Sequence, residues 1–334
     1  MIDREVVFIA DRVQNHNDAN LNSYDLEKIA DDYFKQMWDS LNTCSFSVVH
    51  YESPKQFLSN IEDHKNSLVF SLWSGETFRS RRAIVPSICE AYCIPYVGAD
   101  PYIQTVCADK HLSKQLCSRY NINSANDVII SSTCDFSLLK KLKYPAVVKP
   151  NFEGGSIGIF NKNLVDSYEE ATQICSDLLP FYRQLLVEEY IPGEEVSICI
   201  AGIGNDIDVF QVTRVSIDGK TYFDHDILGA ESKKMKQTSN RRDIVTSIFP
   251  RSEKENMLSL FKSLGKVEYM RIDGRINNGV FTLIELTPDC SLSPTSSMLR
   301  AFQATGYDSH ADMIAKLCTN SLKNLKEEYQ NANK

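Results

Sequence analysis

Apolar and polar positions along the first hundred residues follow two rhythms, short runs of period two and longer stretches of period 3.6. Apolar runs at 6–10, 46–50, 67–73 and 94–97 read as strands. Between them, 24–41 places Leu26, Ile29, Ala30, Phe34, Met37, Trp38 and Leu41 on one helical face, and 54–61 and 83–93 read as helices. Strands alternating with helices predict a doubly wound parallel sheet, an α/β unit. Such a sheet binds ligands beyond the carboxyl ends of its strands, here the loops 11–23 and 74–82. The fold alone says nothing about chemistry.

Beyond residue 100 the pattern predicts a helix over 101–120, a strand at 128–131, a helix over 136–142 and an apolar strand ending at Lys149. A glycine-rich stretch, 151–158, leads into a strand over 159–161. A helix over 167–179, a strand over 185–191, a Pro192-Gly193 turn and strands over 194–200 and 206–216 follow. An irregular polar loop, 221–236, precedes a helix over 252–264. Two apolar runs, 269–276 and 280–287, flank Asn277-Asn278-Gly279, and helices over 296–305 and 309–324 close the chain. The C-terminal half reads as α+β.

The paired runs carry the chemistry. A three-residue loop ending in glycine suits a type I turn followed by a left-handed residue. That register pairs Ile276 with Val280 and Arg271 with Glu285, and leaves Asp273 diagonal to Glu285. Alternation then puts Arg271, Asp273, Glu285 and Thr287 on one face, where diagonal neighbours roughly 7–8 Å apart can converge on one ion. Two carboxylates beside an arginine fit a magnesium site. A surface hairpin carrying a salt bridge fits them too.

Composition narrows the classes. A chain of 334 residues is long for one core and predicts two to three units. Its net charge of −8 argues against non-specific binding to nucleic acid or anionic membrane. No run of 18 apolar residues occurs, and the first residues lack a signal-peptide layout. The ten cysteines are scattered without Cys-x-x-Cys, which predicts reduced thiols in a cytoplasmic protein. No Gly-x-Ser-x-Gly elbow announces a serine nucleophile. Gly154, Gly155 and Gly158 leave backbone N–H groups open to anionic oxygens, and Lys149 supplies a fixed charge beside them. A glycine loop alone is more often a plain turn, and this one is not a Walker A sequence.

Three stretches together resemble a known family. Val148-Lys149-Pro150 is followed by Glu153-Gly154-Gly155-Ser156-Ile157-Gly158. Arg271-x-Asp273 and Glu285-x-Thr287 are followed by a turn and a serine before a helix. These resemble the D-alanine–D-alanine ligase family of the ATP-grasp superfamily, over roughly residues 67–315. The resemblance implies an ATP-grasp fold with a parallel-sheet domain at 1–105, a central subdomain at 106–190 and a C-terminal subdomain at 191–334. It implies a ligase that activates a carboxylate as an acyl phosphate with Mg²⁺-ATP (Mn²⁺ being an alternative ion) and joins it to an amine. Lys110, which follows Pro95-Tyr96-Val97-Gly98, and Lys149 would grip phosphates under the loop of Glu153, Gly154, Gly155 and Ser156. Glu188, Glu189, Tyr190 and Ile191 would line an adenine pocket, and Glu195 would hold the ribose hydroxyls. Asp273, Glu285 and Thr287 would bind Mg²⁺. Arg271 would stabilise the oxyanion, with Ser156 as a second catalytic residue, and Ser291, Ser296 and Arg271 would bind an amino-acid substrate. A homodimer is a family expectation.

The chain also departs from that pattern. Thr287 replaces an asparagine, Gly155 a serine, and Cys290-Ser291 a Pro-Gly turn. Leu228-Gly229 stands where a phosphate-closing Lys-Tyr pair belongs, with Lys233, Lys234 or Lys236 as candidate substitutes. The family's N-terminal glutamate for the first substrate's ammonium is replaced by Gln14-Asn15-His16-Asn17-Asp18. Three readings follow: a carboxylate–amine ligase of specialised metabolism, a true D-alanine–D-alanine ligase with an altered first site, or a nucleotide-binding module without turnover.

Overall fold

The computed structural model describes residues 4–14, 24–75, 78–225, 227 and 240–332. The expected substrate loop Asn15–Asp18 and the loop residues Leu228, Gly229, Lys233, Lys234 and Lys236 lie outside the described residues. In chain order, β1 (Glu5–Ile9) is followed by a short parallel ladder of β2 (Arg12–Val13) and β3 (Ile29–Ala30). With β4 (Ser47–Tyr51), β5 (Leu68–Ser71) and β6 (Tyr96–Val97), β1 forms a parallel sheet of order β4-β1-β5-β6. Val6, Val7, Phe8 and Ile9 are fully buried because both faces of β1 are covered. One face packs on Phe57, Val85 and Cys89. The other shares a core with Met298, Phe302 and Leu317 from the C-terminal helices.

The next sheet is antiparallel, of order β7-β10-β8-β9, from β7 (Asp127–Ile130), β8 (Ala146–Pro150), β9 (Leu164–Val165) and β10 (Leu185–Glu189). The third contains β11 (Gly193–Ile203), β12 (Asp206–Ile217), β13 (Tyr222–Phe223), β14 (Asn240–Ile244), β15 (Tyr269–Asn277) and β16 (Val280–Thr287). Its order is β14-β12-β11-β15-β16, with β13 on β11. No helix among the described residues is long and apolar enough to cross a membrane.

Several elements differ from the expectation. The first helix spans Asp31–Thr43, because 24–30 is spent on a 3₁₀ turn and on β3. The helix expected over 101–120 breaks at Asp109, whose extended backbone (φ −91°, ψ 100°) ends Pro101–Ala108. The Asp109 carboxylate accepts from Leu112 N at 3.0 Å and caps a new helix, Lys110–Ser118, with Lys110 as its first residue. Residues 133–141 are 3₁₀ rather than α-helix. No strand forms at 159–161; backbone bonds Ile157 N→Gly154 O and Ile159 N→Ser156 O fold that stretch into turns, and the strand comes at β9.

The hairpin register also differs. Asn278 (φ 49°) and Gly279 (φ 78°) form a two-residue turn, with Asn277 paired to Val280. A bulge at Asp273/Gly274 then shifts the ladder by one residue, so Asp273 directly faces Glu285 and Arg271 faces Thr287.

Candidate active site

One face of the third sheet forms a cleft wall. Along β11, Glu195, Ser197 and Cys199 alternate onto this face, opposite Arg275, Asp273 and Arg271 of β15. Glu285 and Thr287 of β16 continue the last two rows. The cleft, about 610 Å³, is closed on its other side by Lys110, Lys149 and the 152–156 loop, and at one end by Glu27, Arg81 and Arg82.

Asp273 collects three donors. Arg271 Nε donates to both its oxygens at 2.8 and 2.9 Å, Ser197 Oγ at 2.6 Å and Thr287 Oγ1 at 3.4 Å. Glu285 lies 3.8 Å from Lys110 Nζ. Two facing carboxylates and a hydroxyl are an all-oxygen set. Among the described residues no group of three His, Cys, Asp or Glu gathers to hold a metal. The set fits a hard divalent ion that keeps water and phosphate ligands, as Mg²⁺ does, and not a four-ligand zinc site.

Lys110 Nζ also donates to the Glu153 carbonyl, which ties the helix start to the loop. Burial pulls the Lys110 ammonium below its ordinary pKa, Lys149 adding to the shift and Glu285 opposing it. Asn151, fully buried, staples the two from below: its side chain donates to Asp109 and accepts from His111 N. Gly155 (φ 62°) and Ser156 (φ 64°) are both left-handed, so the loop turns tightly over the cleft. A Cβ on Gly154 would come within 2.4 Å of Glu27 Oε1, so only glycine lets the loop approach that carboxylate.

Lys149 rests on Glu188 at 2.5 Å, and Lys114 also bonds Glu188 and, at 2.9 Å, Asp127. Burial would raise the Glu188 pKa, but Lys114 and Lys149 outweigh it and hold it at about 2. Glu188 is thus a buried counter-ion. Glu189 turns to Lys143 N and Asn126, and neither side chain, nor those of Tyr190 and Ile191, reaches the cleft lining. Arg275 instead links Tyr190 OH (2.7 Å) and the Ile191 carbonyl (2.9 Å) to Glu195 (3.2 Å). Burial lifts the Glu195 pKa, Asp273 and Glu285 adding to the effect and Arg275 opposing it. Ser291 lines the cleft, whereas Ser296 is buried with its hydroxyl accepting from Leu299 N at 3.1 Å as a helix cap; Ser297 takes the place at the wall.

Sequence reasoning missed several residues here. Ser197 was readable from the period-two alternation past Glu195, and Lys114 from its position one helical turn after Lys110. Glu27 had no local signal. Its side chain is 1% exposed and pairs with Arg81 (2.8 Å) and Arg82 (3.2 Å), while among the described residues Oε1 finds no hydrogen-bond partner. Burial would raise its pKa, but Arg82 and Arg81 hold it at about 2. Arg81 also pairs with Glu153 at 3.0 Å, and Arg82 with Asp289.

This architecture is the ATP-grasp fold. Over 97% of its length the chain superposes on a D-alanine–D-alanine ligase from Bacillus anthracis complexed with ATP, covering 99% of that chain (TM-score 0.72, 17% identity). The VanG D-Ala:D-Ser ligase from Enterococcus faecalis matches over 96% of this chain and 99% of its own (TM-score 0.69, 19% identity). By sequence, the D-alanine–D-alanine ligase of Clostridium botulinum strain Hall is 26% identical over 248 residues, 71% of this chain and 76% of that protein. A D-alanine–D-alanine ligase A of Bacillus cereus is 26% identical over 252 residues, 73% and 77% of the two chains. The family model described as D-ala D-ala ligase C-terminus matches residues 121–319, more than half of the chain. The chain belongs to the D-alanine–D-alanine ligase family, and with it to the ADP-forming ATP-grasp ligases that make C–N bonds.

Proposed function

We propose that this chain joins two amino acids, activating the carboxylate of the first as an acyl phosphate with Mg²⁺-ATP and passing it to the amine of the second. The observation that carries this reading is Asp273 directly facing Glu285, with Lys110 3.8 Å from Glu285 beneath the glycine loop. Lys110, Lys149 and the N–H groups of Gly154 and Gly155 in the cleft lining hold the phosphates. A carboxylate oxygen attacks the γ-phosphorus and ADP departs; the neutral amine nitrogen then attacks the acyl carbon, its C–O bond to phosphate breaks, and the departing phosphate takes up the amine's proton. Asp273, Glu285 and Thr287 would hold Mg²⁺, which would supply charge neutralisation at the phosphates.

Arg271, on the same face as the two carboxylates, would stabilise the negative charge that develops on the acyl oxygen. Glu195, shared with Arg275, accepts from the ribose hydroxyls. The protein's main contribution is alignment, which can be worth roughly 7–11 kcal/mol. The loop excludes water that would hydrolyse the acyl phosphate. The unpartnered Glu27 Oε1, buried at the cleft end, supports an ammonium on the first substrate, and so a dipeptide product. The test is hydroxamate formation from Mg²⁺-ATP, hydroxylamine and a panel of D- and L-amino acids. A hydroxamate that requires both ATP and one of the acids supports an acyl phosphate; none with any acid contradicts the reading.

A further inference from the structure

Arg275 stands on β15 directly across from Glu195 of β11, in the same-face row next to Ser197 and Asp273. Its side chain is 5% exposed and that of Glu195 20%. Glu195 belongs to the cleft lining and Arg275 does not, so the guanidinium stands behind the carboxylate. Nε and Nη2 both donate to Oε2 of Glu195, at 3.4 and 3.2 Å, and among the described residues none donates to Oε1. Nη1 is spent on the segment that leads into β11, donating to Tyr190 OH at 2.7 Å and to the Ile191 carbonyl at 2.9 Å.

Aromatic rings hold the same guanidinium from its sides. Its carbon lies 5.0 Å from the centre of the Tyr190 ring and 5.6 Å from that of Phe223, and Tyr190 OH donates to the Phe223 carbonyl at 3.2 Å. The start of β11 lies so close to β15 that a Cβ on Gly193 would stand 2.6 Å from the Ile276 carbonyl. The fork is therefore fixed before any ligand arrives. Glu195 shares its face with Asp273 and Glu285, whose negative charges push against its own. Left alone, such a carboxylate swings away from its neighbours or takes up a proton. Gripped at Oε2, it stays charged and presents Oε1 to the cleft, where an ionised oxygen is a strong acceptor for hydroxyl groups.

Resting on the Mg²⁺-ATP site proposed above, we infer that Arg275 is a positioning residue for the sugar: it holds Glu195 so that Oε1 meets the ribose hydroxyls, and the choice of ribonucleotide over deoxynucleotide depends on it. Arg275 touches neither nucleotide nor metal and acts through Glu195 alone.

Binding of Mg²⁺-ATP and of its 2′,3′-dideoxy form to the full chain is measured by calorimetry, without amino acids, for wild type, Arg275→Met, Arg275→Lys and Glu195→Gln. The wild type binds ATP roughly 10-fold or more tighter than the dideoxy nucleotide. Arg275→Met loses most of that preference, because ATP binds more weakly while the dideoxy nucleotide changes far less. Adding Arg275→Met to Glu195→Gln removes no further preference, as expected of a residue that acts through its partner. Arg275→Lys, which keeps the charge and loses the fork, retains part of it. Equal weakening of both nucleotides would mean a purely structural role and would overturn the inference, as would an intact preference in the two Arg275 variants. Equal binding of the two nucleotides by the wild type would overturn it too, a result independent of how the variants fold. No binding of Mg²⁺-ATP by the wild type would remove the ligase reading itself.

Discussion

Lys149 lies between Glu188, at 2.5 Å, and the phosphates assigned to the cleft above it, whereas among the described residues Lys114 bonds to Glu188, Asp127 and the Ala125 carbonyl. The two lysines should therefore fail differently. Lys149→Ala is expected to lower turnover roughly 100- to 1,000-fold in a coupled ADP assay, and unchanged turnover would withdraw the phosphate role. Lys114→Ala breaks a buried charge cluster and is expected to cost about 3–5 kcal/mol of unfolding free energy, read by denaturant titration. Glu285→Ala should raise the Mg²⁺ concentration needed for half-maximal rate by at least about tenfold, and indifference to Mg²⁺ would remove the metal site. The place of Lys110, Lys149, Asp273, Glu285 and Thr287 in one cleft was legible because each sits in a short local pattern. Glu27 was not, since its partners Arg81 and Arg82 come more than fifty residues later and only the folded chain brings them together. Glu188 was legible as a position but not as a counter-ion, because both its lysines come from other elements.

The hairpin shows what an element hides. A turn shorter by one residue would put Glu285 and Thr287 on the face opposite Asp273 and Arg271 if nothing compensated. The bulge inserts one residue, Ile284, and restores the face, so the right side chains converge by a register the sequence did not reveal. Gly274 makes that bulge feasible. A Cβ there would stand 2.4 Å from the Phe281 ring and from the Thr282 carbonyl. Gly274→Ala is expected to destabilise by about 1–3 kcal/mol and to weaken Mg²⁺-dependent activity with it; an unchanged Tm would contradict the packing account. The helix break at Asp109 was hidden for a similar reason. The apolar pattern runs straight through it, and the break is set by the cap and by Asn151 from another element.

Across the whole molecule, two buried carboxylates carry a pH signature. Glu27 and Glu188 are each held at about 2, against an ordinary value of 4.5. A depressed carboxylate contributes its full stability above its unfolded pKa and loses it as pH falls through the folded one. Denaturant midpoints should therefore stay level from pH 7 to about 5 and fall steeply between about 4.5 and 2, and Glu188→Gln should flatten that fall. The parallel N-terminal sheet was legible from alternating runs. Its packing was not, because one face shares a core with helices near the C-terminus, joined across more than two hundred residues. Glu27, Arg81 and Arg82 are held in the cleft lining by their pairs with one another and with Glu153 and Asp289, where the first substrate is assigned. Whether a carboxylate is joined to an amine is read from phosphate release from Mg²⁺-ATP, measured against pairs of D- and L-amino acids with mass spectrometry of the products. The expected result is release that depends on an amino acid, together with a new mass equal to the two acids less one water. Tight ATP binding with no release for any pair would contradict it and leave a nucleotide-binding protein without turnover.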